Sequence, residues 1–357
     1  MKVMIAAGGT GGHIHPALAL ADKIKAHSPE NEVIFFGSLN RMEADVIPAH
    51  GYRFYGARMS VTNGGFVQKT KAAASMISAY GTCAKIMKKE KPDICIGFGN
   101  YISVPLITNA HRMHIPILLH EQNSFAGKAN RFLAQYADGI VTCYKNNEKQ
   151  FPIEKIRLLG NPEASAAADT VFDPAVLKEY GLKENVPFVV FMMGSLGSSS
   201  VSQVIDDACD LFDDSFQVII AKGKSNAYHF KHQSDGRIAL VDYVDGKAML
   251  KGCALAVTRA GATTICEIGA IGCASILIPS PYVPDNHQYY NAMELVEQGA
   301  ADIIEEKDLS AKVLADKINA LMKDENIRNN MKNKAYEMGR RDAADQMINW
   351  MEELVNG

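Results

Sequence analysis

Ten short apolar runs punctuate the chain, separated by segments whose apolar residues recur with a helical period, and this alternation constrains the fold more than any other feature. KVMIA (2–6), VIFFG (33–37), ICIGF (94–98), ILLH (117–120) and GIVTC (139–143) read as buried parallel strands of a βαβ series. Ala17, Leu20, Ala21 and Ile24 fall at i, i+3, i+4 and i+7 behind Pro16, which predicts a helix beginning just past His13. A polar, irregular stretch, 160–187, then interrupts the pattern. FVVFMM (188–193) restarts it, followed by a second Gly-rich turn, a helix, and the runs QVIIA (217–221), IALV (238–241), LAVT (255–258) and ASILI (274–278). The expectation is an α/β chain of two Rossmann-like, open parallel-sheet domains facing each other across a cleft, with a Gly-rich turn of each at the carboxyl end of a strand, where such sheets bind ligands. The domains are expected at 1–162 and 187–340, with 163–186 as linker and 341–357 as a closing helix able to pack back on the first domain.

At 357 residues and 47% hydrophobic content the chain can build two cores. A formal charge of -3 supplies no bulk attraction to nucleic acid, so an anionic partner needs a local basic patch. The seven cysteines are scattered without a CxxC pair, which argues against a disulfide framework or a zinc site and for a reducing, cytoplasmic setting. No signal-like h-region and no run near the ~18 apolar residues of a spanning helix are present, so membrane contact is expected to be peripheral.

Four segments carry candidate chemistry. GGTGGH (8–13) is not the G-x-G-x-x-G dinucleotide fingerprint, which weakens an oxidoreductase reading. Its glycines suit a tight turn, and His13 is either a helix cap or a general base for neutral pH. TRAGATTICEIGAIG (258–272) follows an expected strand, so Gly261, Thr263 and Thr264 would present N–H groups and hydroxyls to an anion. Glu267, four residues beyond Thr263, would lie one turn along within reach of ribose hydroxyls, or simply be solvated. PYVPDNHQYYNAMEL (281–295) clusters Asp285, Asn286, His287 and Gln288 where a loop enters a helix, a setting for sugar hydroxyls; HEQNSFAG (120–127) is a similar polar cluster after ILLH. Finally, 66–91 reads as a helix with Met76, Tyr80, Cys83 and Met87 at core spacing. Phe66, Val67 and Ile77 fall off that stripe among six lysines, a pattern that fits an anionic leaflet.

In this order the blocks GGTGGHIHPALALA, RMEAD (41–45), KPDICIGFGNYISVP (91–105), IPILLHEQNSFAG (115–127), GNP (160–162), RAGATTICEI (259–268) and HQYYNA (287–292) resemble the MurG family of bacterial peptidoglycan N-acetylglucosaminyltransferases over essentially the whole chain. The resemblance implies a GT-B fold and an inverting transfer of GlcNAc from UDP-GlcNAc to the C4 hydroxyl of MurNAc in lipid I. It implies neither cofactor nor metal, and a peripheral seat on the cytoplasmic side of the cell membrane through 66–91. His13 is then the base, with Glu121 and Asn123 orienting the acceptor or sharing that role. Thr10, Gly11 and Gly12 would meet the acceptor's diphosphate. Ser195, Val244, Arg259, Gly261, Ala262, Thr263, Thr264, Glu267, His287 and Gln288, with Asn123, would face UDP-GlcNAc: Glu267 on the ribose, Val244 near uracil, 259–264 on the phosphates and Gln288 on the sugar.

Four positions depart from the family's pattern. MGSLG stands for GGSQG or GGSRG, so Leu196 removes a polar group; Glu163-Ala164 stands for the frequent Val-Arg after GNP; His287 replaces a Gln; and Asn100 replaces a Gly. A transferase acting on another lipid acceptor is one alternative. A non-catalytic nucleotide-sugar-binding subunit is another, against which His13 speaks, since a binding module needs no base.

Overall fold

The computed structural model describes residues 1–62, 64–194, 199–223 and 227–357. The chain divides into two compact units, Met1–Ser165 with Asp342–Gly357, and Ala166–Arg341. The stretch 163–186 is thus shared between the units, and it holds two short helices, Glu163–Ala168 and Val176–Glu179.

The first unit is a seven-stranded, wholly parallel sheet of β1 (Lys2–Ala6), β2 (Glu32–Ser38), β3 (Arg53–Ala57), β4 (Ile94–Gly97), β5 (Ile117–Glu121), β6 (Gly139–Thr142) and β7 (Ile156–Leu158), in the order β3-β2-β1-β4-β5-β6-β7. Alternation along β1 sends Val3 and Ile5 to one core and Met4 and Ala6 to the other, which is how a strand buried on both faces feeds two helical layers. The Val3 face is covered by α1 (Gly11–His27) and by the closing helix Ala343–Asn356, whose Met347, Ile348, Trp350 and Met351 are buried there. Ser165 Oγ accepts from Ala344 N at 3.1 Å, and Arg157 lies 4.3 Å over the Trp350 ring. Trp350 leaves no room above β6, because a Cβ at Gly139 would fall 2.5 Å from its Cζ2.

Two further helices matter for the site: α2 (Glu43–Ala49), and α3 (Phe66–Glu90), which packs Ala79, Cys83 and Met87 on the Met4 face. Phe66, Val67 and Ile77 stay exposed, at 83%, 64% and 73%. The acid of α3, Glu90, is turned inward onto Tyr55 and Arg53 and meets one helix lysine, Lys89, at 3.9 Å. Among the described residues no helix is long and apolar enough to cross a membrane.

The second unit is a six-stranded parallel sheet of β8 (Phe188–Met192), β9 (Gln217–Ala221), β10 (Ile238–Val241), β11 (Leu255–Thr258), β12 (Ser275–Leu277) and β13 (Asp302–Ile303), ordered β10-β9-β8-β11-β12-β13. In each sheet the winding reverses beside its first strand, between β1 and β4 and between β8 and β11. That reversal opens a crevice at the carboxyl ends, the place where parallel sheets take ligands.

The helix expected just past His13 begins earlier, at Gly11, with Thr10 extended at the cap position (φ −147°, ψ 158°). The first four N–H groups of a helix have no partner within it, so Gly11 and Gly12 cost little there. His13 N and Ile14 N both reach the Thr10 carbonyl, at 3.1 and 3.3 Å. Pro16 stands inside the helix rather than at its first position.

Candidate functional site

Beyond β1 the chain crosses the sheet edge as Ala7-Gly8-Gly9. Gly9 sits at φ +85°, and a Cβ there would fall 2.3 Å from Asn100 Nδ2, so no side chain fits. Gly9 N donates to Glu43 Oε2 at 3.0 Å and Ser38 N to Glu43 Oε1 at 3.1 Å. One fully buried carboxylate therefore fastens the turn after β1 to the turn after β2. On the other side Asn100, at φ +64°, reaches the Gly8 carbonyl from Nδ2 at 3.4 Å. Asparagine tolerates the left-handed region, so this departure from glycine keeps the turn and adds a tie to it.

His13 is half-buried at the rim of this turn, its Nδ1 2.9 Å from Thr10 Oγ1. A Cβ on Gly99, which follows β4, would lie 3.5 Å from His13 Cδ2 and Nε2. The imidazole thus stands between the ends of β1 and β4, at the reversal of the sheet. Thr10 and Gly12 are exposed beside it and Gly11 is half-buried.

A second imidazole lies close by. His120 is buried at the end of β5, stacked on Phe98 with centroids 4.9 Å apart, and donates from Nε2 to the Gly160 carbonyl at 3.1 Å. Burial, against the pull of the Gly160 bond and helped by the charge of His13, lowers its pKa to about 4. His120 is therefore neutral at neutral pH.

Glu121, expected beside His13 as a possible sharer of the base role, is buried with both oxygens occupied. Oε1 accepts from Asn123 N (3.0 Å) and Asn123 Nδ2 (3.3 Å), and Oε2 from Gly127 N (3.0 Å) and Asn130 Nδ2 (2.9 Å). Burial raises its pKa while these four donors pull it down. The geometry gives this carboxylate the work of ordering the 120–127 loop, with Asn123 half-buried on it. Glu121→Gln sets an amide N–H2 against some of those donors, so it is expected to cost about 1–3 kcal/mol, read as a lowered melting midpoint; an unchanged midpoint would deny the loop its dependence on the charge.

In the second unit Gly261 caps the Ala262–Ile271 helix, and Ile265 N reaches its carbonyl at 3.0 Å. Thr263 and Thr264 stand half-buried in the first turn, and Thr263 Oγ1 is enclosed without a hydrogen-bond partner among the described residues. Glu267 follows one turn along, half-buried, while Ala262 is buried. Arg259 N approaches the Met192 carbonyl at 3.4 Å, tying this turn to the end of β8. The Arg259 side chain, expected on phosphates, is instead held by Glu306 (2.5 Å) and the Ile278 carbonyl (3.0 Å). A guanidinium this buried needs a counter-charge, so the backbone of 259–261, not this side chain, is what the turn presents.

Val244 is buried and lines a cavity of about 430 Å³ at the ends of β8, β9 and β10, together with Met192, Met193, Ala221 and Tyr243. The helix His287–Val296 is tied to the Gly261 turn by Asn291 Nδ2, 3.3 Å from the Ala260 carbonyl. At its start His287 Nδ1 donates to the Pro284 carbonyl (2.9 Å), and Gln288 Oε1 accepts from Ser280 N (2.9 Å). Ser195 and Leu196 lie outside the described residues. Glu43, Asn100 and Asn130 were not among the expected site residues; each acts across more than thirty residues or through a loop closure, and no local spacing announces that.

A model of the glycosyltransferase family 28 N-terminal domain matches residues 3–142, and one of the family 28 C-terminal domain matches residues 188–347. The UDP-N-acetylglucosamine–N-acetylmuramyl-(pentapeptide) pyrophosphoryl-undecaprenol N-acetylglucosamine transferase of Limosilactobacillus reuteri is 35% identical, covering 100% of this chain and 99% of the relative. The enzyme of the same description from an Exiguobacterium species is also 35% identical, covering 99% of this chain and 100% of its own. Among solved structures, Acinetobacter baumannii MurG superposes with a TM-score of 0.80 at 24% identity over 99% of both chains. A UDP-GlcNAc 2-epimerase from Neisseria meningitidis bound to UDP-GlcNAc has a TM-score of 0.69 at 12% identity over 99% of this chain and 100% of that one. At such identities the two structures speak for the fold alone, a fold that transferases and epimerases share.

Proposed function

The chain belongs to the family of UDP-N-acetylglucosamine–N-acetylmuramyl-(pentapeptide) pyrophosphoryl-undecaprenol N-acetylglucosamine transferases, and from that membership we infer that it moves GlcNAc from UDP-GlcNAc to the lipid-linked MurNAc of lipid I, giving lipid II for peptidoglycan. The observation that carries an enzymatic reading over a binding subunit is the oriented imidazole of His13, held by Thr10 at the reversal of the first sheet.

The transfer is a single displacement. With Nδ1–H donated to Thr10 Oγ1, His13 carries its lone pair on Nε2, which takes the proton of the C4 hydroxyl as that oxygen attacks C1 of GlcNAc. The C1–O bond to UDP breaks, and the electron pair leaves on the diphosphate. That charge is met by the N-terminus of the Ala262–Ile271 helix, whose fixed dipoles need no rearrangement as charge develops, with Thr263 and Thr264 in its first turn. Glu267 takes the ribose and the cavity around Val244 takes the uracil, with His287 and Gln288 toward the sugar. Thr10, Gly11 and Gly12 serve the acceptor. Glu121 acts through Asn123 and the loop it orders, as a positioning group.

The same reading seats the protein peripherally on an anionic membrane face. Its support is the exposed Phe66, Val67 and Ile77 of α3 on a helix whose lysines outnumber its one acid, Glu90, which meets Lys89 alone among them.

The experiment is an acceptor assay with labelled UDP-GlcNAc and lipid I, set beside a plain polyprenyl phosphate and a diacylglycerol. Product on lipid I alone is expected, with UDP-GlcNAc preferred over UDP-glucose and UDP-GalNAc. Transfer to diacylglycerol would overturn the acceptor, and equal use of the three donors would overturn the donor.

A further inference from the structure

Resting on that reading of the substrate, we propose that an exposed strip over the ends of β2 and β3, formed by Leu39, Arg41, Met42, Arg58 and Val61, holds the diphosphate linker and first prenyl units of the lipid-bound acceptor. The strip is joined to the His13 turn and to α3 by a chain of contacts within one unit. Glu43 fastens Gly9 to Ser38, which places Leu39 to Met42 directly after the Gly-rich turn's own anchor. Leu39 N donates to the Ala57 carbonyl at 3.0 Å, bringing the turn after β3 alongside. Ser60 N and Oγ reach Ser75 Oγ at 3.2 and 3.3 Å, which ties that turn to α3 more than two helical turns past Phe66 and Val67 and two residues before the exposed Ile77.

Charge and polarity along this path match one occupant. Of the six arginines in the first unit, Arg53 meets Glu32 and Glu90, Arg112 meets Asn109, Arg131 covers Phe125 and Arg157 meets Glu353. Arg41 and Arg58 are exposed, and among the described residues no ion pair or hydrogen bond engages their guanidinium groups. Guanidinium groups left without acids suit a diphosphate, which they bind by paired N–H donors. Between them Leu39, Met42 and Val61 are 52%, 41% and 53% exposed, which is apolar area a solvated surface gains nothing by presenting. A diphosphate held by Arg41 and Arg58 beside the Gly-rich turn leaves the first prenyl units to cover Leu39, Met42 and Val61 on the way to α3.

The test uses the full chain in neutral detergent with a prenyl-tailed acceptor and a short-chain acceptor bearing the same diphosphate, sugar and peptide. The Arg41→Gln/Arg58→Gln pair is expected to raise the KM of both acceptors about tenfold or more, with KM for UDP-GlcNAc held. Leu39→Ser/Met42→Ser is expected to raise KM for the prenyl-tailed acceptor and leave that of the short-chain one in place. Sedimentation with phosphatidylglycerol vesicles lacking acceptor should match wild type for the arginine pair. Unmoved acceptor KM values with an active wild type would overturn the proposal alone. Lost vesicle binding with unmoved KM would assign the arginines to bilayer headgroups and overturn it as well. A wild-type chain inactive on both acceptors would overturn the activity itself and this proposal with it. Melting curves guard against misfolding, which these exposed positions should not cause.

Discussion

A His13→Ala chain is expected to transfer GlcNAc at least about 10²-fold more slowly than wild type while its KM for UDP-GlcNAc stays within about twofold. The split follows from the placement of the ring. His13 belongs to the first unit, at the end of β1, whereas the groups assigned to the uracil, ribose and phosphates of the donor lie in the second. Removing the imidazole removes the acceptor of the C4 proton, so the attacking oxygen must shed it to water late in the displacement. A loss of 10² is about 2.7 kcal/mol of barrier, within what a positioned base supplies. Thr10→Val leaves the ring in place but frees its tautomer, and a smaller loss of about tenfold is expected. Steady-state kinetics with saturating UDP-GlcNAc decide the matter: a wild-type kcat in the alanine chain would remove His13 from the proton transfer.

Trp350→Ala is expected to destabilise the first unit by about 3–5 kcal/mol. Trp350 is 5% exposed, packs into the space that Gly139 leaves over β6, and carries Arg157 on its face. Its loss opens a cavity between the closing helix and the sheet and strands Arg157, whose remaining partner is Glu353 at 2.7 Å. For a unit of this size the midpoint of its thermal transition should drop by roughly 10 °C. A shift below about 2 °C would mean that the closing helix adds little to the first core.

All ten apolar runs became strands, because a strand covered on both faces must be apolar throughout and therefore shows itself in composition. β3, β7 and β13 did not announce themselves, and all three are sheet edges. RFYGA, IRL and DI are half-exposed, so polar residues are tolerated and the apolar run disappears. The start of α1 was misplaced because glycines at a helix's first turn look like a loop in sequence yet lose no hydrogen bonds there. The placing of Thr10, His13, Gly261 and Thr263 at strand-to-helix turns was legible because such a turn fixes its own first residues. The buried tie of Glu43, the four donors on Glu121 and the Glu306 partner of Arg259 were not, since each depends on which loops the sheet order brings side by side. The role expected of Ser195 lies outside the described residues.

The first unit is written in two separated pieces of chain, whereas the second is continuous. On the ribosome, where roughly 5–20 residues are added each second, the second unit has all its strands before residues 343–356 emerge. Val3, Ile5, Ile14 and Leu20 must wait through that interval for Met347, Trp350 and Met351, the side chains that finish their core. A nascent chain therefore acquires a complete nucleotide-side core first and a complete His13-side core last. Chains cut short before the closing helix should accumulate as species with one finished unit and one open sheet face, which is the form that chaperones and proteases recognise.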